Sequence, residues 1–254
     1  MIIALTRAVS SSFEHCLLTH LEHQPIDLQL ARIQHAAYEH ILAEHGCQVL
    51  QLPEQAEMPD AVFVEDTALV LDELAVITRP GADVRRLEVP GVKQALQAYR
   101  EVFSIEVPGT LEGGDILRID RTLYAGLTSR TNLEGIAQLK MLTAPFGYQV
   151  VTVPVEGCLH LKSAVTRVGE DILLLNPEWV DSSYFAGFRL VEVHPTEPLA
   201  ANALLLDKTV IYPQAFPETR KRLENSGIQI QVLDVSEMGK AEGGVTCCSL
   251  IFSI

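Results

Sequence analysis

The chain has 254 residues, 48% of them hydrophobic and 20% charged, with a formal net charge of −14. That composition suits a globular protein and gives enough chain for one large domain. The acidic balance argues against nucleic acid or an anionic membrane as partner, since both reward Lys and Arg. No apolar run approaches the roughly 20 residues of a membrane span. Met1–Arg7 lacks the basic start and long apolar stretch of a secretory signal. Five cysteines, at 16, 47, 158, 247 and 248, make an odd count without C-x-x-C spacing. This points away from a disulfide framework or zinc ribbon and toward a reducing, cytoplasmic setting.

Taken in order, Met1–Ala8 is apolar enough for a buried strand, and residues 9–24, rich in Ser and His, read as a loop or weak helix. Asp27 is placed to cap a helix whose Leu30, Ile33, Ala37 and Ile41 share a face and which Gly46 ends. Gln48–Pro53 is the next strand. From there one unit recurs: a polar site, a strand, a turn, a second strand, a helix and a third strand. The hairpins are Ala68–Ile77, Asp115–Ala125, Ala164–Leu175 and Ala203–Tyr212, each with a turn pair at its centre such as Asp120-Arg121 or Asp207-Lys208. Helices are expected over Val92–Val102, Asn132–Leu142, Pro217–Asn225 and, in short form, Glu178–Phe185. Strands are expected at Phe103–Val107, Val150–Val153 and Ile228–Val232.

The polar sites fall at Glu65/Asp66, Glu112, His160, Asn202 and Cys247, successive sites lying roughly 45 residues apart. The fifth unit stops after one strand, Ser249–Ile254, while Met1–Ala8 has no hairpin partner. Pairing these two strands closes a ring with no open sheet edge. The expected fold is therefore α/β: a single domain spanning residues 1–254, with five repeats around one axis. Equivalent positions of the repeats then converge at one end of that axis. They bring carboxylates, a histidine, an asparagine and a cysteine together, a set that apolar repeats do not need.

The cysteine lies in Glu242-Gly-Gly-Val-Thr-Cys-Cys-Ser249, where a glycine-rich turn leads into the last strand. Neighbours on a strand point to opposite faces, so one of Cys247 and Cys248 is expected to face the pocket and the other to pack. A thiol beside an imidazole serves as a nucleophile with a proton shuttle. Several carboxylates around that thiol would hinder its ionisation unless the substrate is a cation. A guanidinium fits, being planar, always charged and matched to carboxylates. Attack on its carbon and protonation of the leaving amine would give a covalent thiouronium, which water then hydrolyses. This chemistry calls for no metal and no cofactor. Six histidines between residues 15 and 45 show no strict ligand spacing and read as solvated faces. Cys16, Cys47 and Cys158 read as structural.

The segments PDAVFVEDTALV (59–70), ITRPGADVRR (77–86), TLEGGD (110–115), GLTSRTN (126–132), HLKS (160–163) and GGVTCCS (243–249) together make the chain resemble the dimethylarginine dimethylaminohydrolase family. That family belongs to the guanidino-group-modifying (pentein) superfamily, and the resemblance spans essentially the whole chain. It implies a five-bladed αβ-propeller and hydrolysis of N-omega-methylated arginine to citrulline and methylamine or dimethylamine. It implies Cys247 as nucleophile, His160 as general acid/base and Glu112 as the residue orienting it. Glu65 and Asp66 would hold the guanidinium. Asp60 and the backbone of Leu18 would take the α-amino group, and Arg85 and Arg130 the α-carboxylate. Ala241 and Glu242 would line the pocket, although many relatives carry Asp where Glu242 stands. The partner is then a small guanidino amino acid, and a homodimer is compatible with the resemblance.

Other members of the superfamily offer alternatives. Arginine deiminases are much longer, with an inserted helical domain. Agmatine deiminases act on a substrate without a carboxylate, for which paired arginines would serve no purpose. Non-catalytic binding factors of this fold have no need of Cys, His and Glu at equivalent repeat positions.

Overall fold

The computed structural model describes residues 1–254. Strand β1 (Ile2–Arg7) is followed by helix α1 (Leu28–Glu44) and strand β2 (Cys47–Leu52). The Asp27 side chain caps α1 by accepting from the Leu30 amide at 3.0 Å. Four like units then follow. The first is β3 (Ala68–Val70), β4 (Leu74–Ile77), α2 (Val89–Leu96) and β5 (Glu101–Ser104). The second is β6 (Ile116–Ile119), β7 (Thr122–Leu127), α3 (Leu133–Thr143) and β8 (Gln149–Pro154). The third starts with the one-turn helix α4 (Leu161–Ala164), then β9 (Val165–Arg167), β10 (Ile172–Leu175) and β11 (Arg189–Glu192). The fourth is β12 (Leu204–Leu206), β13 (Thr209–Pro213), α5 (Pro217–Asn225) and β14 (Gln229–Leu233). A short helix α6 (Ser236–Lys240) and strand β15 (Leu250–Ser253) end the chain.

These strands make five three-stranded sheets. In each, an antiparallel pair is extended by a parallel third strand across a connection that in four of the five contains a helix of eight or more residues. The fifth sheet is assembled from both chain ends, with β15 antiparallel to β1 and Ile3 opposite Phe252. The expected closure is thus present, and it gives the N-terminal strand the hairpin partner it lacks in sequence. Hairpin turns at Asp120 and Asp207 take positive φ, which Asp adopts more readily than most residues.

The apolar core divides into five clusters, each between consecutive sheets. One cluster, for example, joins Ile3, Leu5 and Phe252 to Ala75, Ile77 and Leu96. Burying side chains at the sheet-to-sheet contacts leaves the axis free for polar groups.

Several expected boundaries shift. The helix expected over Val92–Val102 runs over Val89–Leu96, because Pro90 suits a first helical turn. The following strand begins at Glu101 rather than Phe103, since Glu101 pairs with Leu74. The short helix near Glu178–Phe185 is a 3₁₀ turn over Ser182–Phe185. Helix α6 has too few apolar residues to announce itself in sequence.

Gly135 lies inside α3, where Ala is normally better by about 1 kcal/mol. Here a Cβ would sit 2.0 Å from the Thr110 carbonyl oxygen, in the segment the helix packs against. We expect Gly135→Ala to destabilise the fold by about 1–3 kcal/mol in urea unfolding, against the helix-propensity trend.

Candidate active site

The polar sites of the repeats do converge. Each first strand is preceded by a tight turn that presents side chains toward the axis. A 3₁₀ turn over Val64–Thr67 carries Glu65 and Asp66, and one over Gly113–Asp115 follows Glu112. His160 is the residue before α4. Cys247 sits in the turn that opens at Gly244, whose carbonyl accepts from the Cys247 amide at 3.2 Å.

A pocket enclosing about 330 Å³ is lined by Cys247, His160, Asp66, Asp60, Arg85 and Arg130, with Ala241 and Glu242 on its wall. His160 Nε2 lies 2.6 Å from Glu112 Oε2 and 3.8 Å from Asp66 Oδ1. Glu112 is fully buried, and its other oxygen accepts from the Gly81 amide at 3.0 Å. Close approach needs Gly114, where a Cβ would meet the His160 ring and Asp66 Oδ1 at 2.8 and 2.7 Å. Cys247 Sγ accepts from the Gly244 amide at 3.2 Å.

Burial alone would lower the His160 pKa, but Asp66, Asp115 and Glu112 outweigh it and raise the imidazolium to about 9. Dry surroundings push the Cys247 thiol up to about 12, with Glu65 and Asp66 adding to the effect. Asp66 itself is disfavoured as an anion by burial, yet His160 and Arg85 hold its carboxyl below the usual range. The unliganded centre therefore holds a neutral thiol beside a protonated imidazole at neutral pH.

Other predicted residues are placed more variously. Glu65 turns away from this pocket. It pairs with Lys162, accepts from the Thr246 hydroxyl at 2.7 Å, and lines a second, open cavity. Asp66, one residue on, is the carboxylate that faces the pocket. Leu17 rather than Leu18 lines the wall. Its amide donates to both Asp60 oxygens at 3.2 Å, while Leu18 packs against the apolar core. The Glu242 carboxylate accepts from the Thr19, His20 and Leu21 amides and so ties the 17–21 segment over the pocket. Arg85 is buried, with its guanidinium held by Asp66 at 2.6 Å and Glu88 at 2.9 Å and by the Asp60 and Phe63 carbonyls. Arg130 has fewer partners: the Thr19 hydroxyl at 2.9 Å and Glu112 at 3.7 Å.

Cys247 lies before β15, not on it, so strand alternation is not what separates the two cysteines. The turn does so instead. Cys247 stays partly exposed in the pocket wall and Cys248 joins the core. The N-terminal histidines scatter: His40 faces Glu44, His45 bonds Gln231 and His23 reaches the Glu14 carbonyl. One group of three, Asp66, Glu112 and His160, has the spacing to hold a metal ion. Those oxygens already serve Arg85, the Gly81 and Gly114 amides and the imidazole.

Sequence reasoning assigned no role to Asp115. It is fully buried and accepts from the Thr128 and Thr131 hydroxyls at 2.8 and 2.6 Å and from the Leu161 amide at 2.9 Å. It thereby fixes the backbone beside both Arg130 and His160. Its presence in the EGGD segment was the available signal.

A model of the family described as N,N dimethylarginine dimethylhydrolase, eukaryotic, matches residues 8–188. The N(G),N(G)-dimethylarginine dimethylaminohydrolase of Streptomyces coelicolor is 39% identical over 97% of this chain and 95% of its own. The chain belongs to the dimethylarginine dimethylaminohydrolase family. The Pseudomonas aeruginosa enzyme of that name is 36% identical over 89% of this chain and 90% of its own. A Cys-to-Ser variant of the Pseudomonas aeruginosa protein, solved with citrulline, superposes with a TM-score of 0.94 at 34% identity, covering 98% of each chain. A His-to-Gly dimethylarginine dimethylaminohydrolase forming an adduct with S-methyl-L-thiocitrulline matches equally well, at 0.94, over 99% of this chain and all of its own. The N-terminal domain of a cyanobacterial arginine dihydrolase has a TM-score of 0.88 over 99% of this chain and 98% of its own, but at 19% identity it shows only the common propeller fold. No helix in the chain is long and apolar enough to cross a membrane.

The folded pKa of His160 lies above its ordinary value of 6.5. Protonation of His160 therefore stabilises the fold fully below about 6.5, and this contribution is lost as pH rises through about 9. We expect the stability difference between the parent and His160→Gln to shrink over that range in urea unfolding at successive pH values. A pH-independent difference would show that the imidazole does not titrate there.

Proposed function

We propose that the chain hydrolyses N-omega-methylated arginine to citrulline and methylamine or dimethylamine through a covalent thiouronium on Cys247. The observation that carries this reading is the His160–Glu112 contact of 2.6 Å in a pocket shared with Cys247 and Asp66. Family membership and the citrulline and thiocitrulline complexes of its relatives support the same chemistry.

The substrate guanidinium lies against Asp66. Its positive charge offsets the carboxylates that help keep the Cys247 thiol protonated, so the thiol releases its proton to solvent as the cation binds. The thiolate forms a bond to the guanidinium carbon. Protonated His160, held by Glu112, donates to the methylated nitrogen, and that C–N bond breaks. Dimethylamine or methylamine leaves, and the carbon remains on sulfur as a thiouronium. Neutral His160 then takes a proton from water. The water oxygen bonds to carbon, the C–S bond breaks as the remaining hydroxyl proton passes to solvent, and citrulline leaves with the thiolate restored. Asp60 and the 17–21 segment take the α-amino end. Arg130, with Arg85 in the same wall, takes the α-carboxylate.

Release of citrulline from asymmetric dimethylarginine, monomethylarginine and arginine, and of carbamoylputrescine from agmatine, is the direct test. Release from methylated arginines is expected, and its absence would overturn the reading. Cys247→Ser should abolish release. Cys248→Ser, which alters only a core residue, should retain most of it; the reverse pattern would exchange the roles of the two thiols.

Arg130 is the cleaner probe of the carboxylate anchor, because Arg85 also neutralises Asp66 and Glu88. Truncating one partner of a buried charged contact costs roughly 2–5 kcal/mol. Arg130→Ala should therefore lose roughly 30- to several-thousand-fold in kcat/KM on methylated arginine. Agmatine has no carboxylate, so its slow turnover should be unchanged by the substitution. Equal losses on both substrates would mean that Arg130 holds the fold rather than the ligand.

A further inference from the structure

The fourth repeat sends Asn202 toward the axis, yet Asn202 does not line the substrate pocket. It is buried and uses its whole amide. Its Oδ1 accepts from the Thr246 backbone N–H at 3.1 Å. Its Nδ2 donates to the Thr246 hydroxyl at 3.0 Å and to the Lys162 carbonyl at 3.1 Å. Thr246 immediately precedes Cys247, and Lys162 lies two residues after His160. The amide thus joins the turn that carries the thiol to the segment that carries the imidazole.

This contact has further support on both sides. The Thr246 hydroxyl, while accepting from Asn202, donates to Glu65 Oε2 at 2.7 Å, and the Glu65 amide donates to the Cys247 carbonyl at 3.1 Å. The Glu65 carboxylate is in turn paired with Lys162. Gly244, at the start of the cysteine turn, lies so close to Asn202 that a Cβ there would sit 2.3 Å from Oδ1. The turn is therefore built against the amide, and no other side chain bonds both the turn amide and the His160 segment.

We propose that Asn202 is a positioning residue for the reaction, holding Cys247 Sγ in register with His160 by bridging Thr246 and Lys162. This rests on Cys247 acting as the nucleophile. Asn202 touches neither substrate nor reacting atoms, so its effect lies in the geometry of attack. Reacting groups displaced by about 1 Å lose on the order of 100-fold in rate.

The test compares Asn202→Ala and Asn202→Asp with Tyr212→Phe. Asp keeps an acceptor for the Thr246 amide but has no donor for the hydroxyl or the Lys162 carbonyl. Tyr212→Phe removes a buried hydrogen bond in the same blade, 2.7 Å to the Ala200 carbonyl, that involves neither Thr246 nor Lys162. Citrulline release, thermal midpoint and the rate of Cys247 alkylation by iodoacetamide, located by peptide mass spectrometry, are measured for each. Both Asn202 variants should lose about 100-fold in kcat with KM little changed, and their Cys247 alkylation rates should shift. Tyr212→Phe should lower the thermal midpoint and leave kcat and alkylation as in the parent. Asn202 variants that keep the parent kcat, or whose loss of rate is accounted for by the fraction of protein unfolded at the assay temperature, overturn the proposal. Failure of the underlying reading has a different sign: Cys247→Ser would still release citrulline.

Discussion

The short contact between Glu112 and His160 governs the rest of this centre. One oxygen of a fully buried carboxylate lies 2.6 Å from the imidazole, with Asp66 and Asp115 adding further negative charge. Such an arrangement keeps the imidazole protonated, while burial, with Glu65 and Asp66 adding to it, opposes ionisation of the neighbouring thiol. Asp66 is already paired with Arg85 at 2.6 Å, and it also lines the pocket. In the proposed reaction a guanidinium bound against Asp66 offsets the field of these carboxylates, so recognition of the substrate and activation of the nucleophile become one event.

The propeller makes this possible without any loop long enough to reach across the molecule. Apolar burial is confined to the contacts between sheets, which frees the turn at the inner end of each sheet to carry a polar side chain. Each repeat contributes one or two, and the ring brings Glu112 and His160, from different repeats, within hydrogen-bond distance. Closure by β15 against β1 anchors the chain a few residues beyond Cys247, so the stability of the fold and the placement of the thiol share the same strand pair. Behind the pocket, Glu65, Lys162, Thr246 and Asn202 bond to one another.

Much of this was legible in the sequence because the repeat is a spacing property. A step of roughly 45 residues located Glu112, His160, Asn202 and Cys247, and the unpaired end strands implied a closed ring. What spacing does not encode is rotation about the local backbone. Glu65 and Asp66 are adjacent in sequence, and the 3₁₀ turn over Val64–Thr67 sends one to each cavity. The same limit applies to Leu17 and Leu18, which differ by a single residue of register in an irregular segment. Cys247 was distinguished from Cys248 by motif, whereas the structure separates them by a turn that no alternation pattern describes. Arg85 was legible as a pocket residue, but its partner Glu88, three residues on, was not, because their contact depends on both being buried in the same 3₁₀ segment.

Coupling of cation binding to thiol ionisation is the central claim, and it has a direct spectroscopic test. The ultraviolet absorbance of the Cys247 thiolate is followed through a pH titration, with Cys247→Ser as the blank, in the absence and presence of a saturating guanidine that cannot react. Without ligand the midpoint should stay high, toward the value of about 12 that burial and the carboxylates impose. With the cation bound it should fall clearly. A midpoint that does not move on binding, or one already near neutrality in the free protein, would contradict the account.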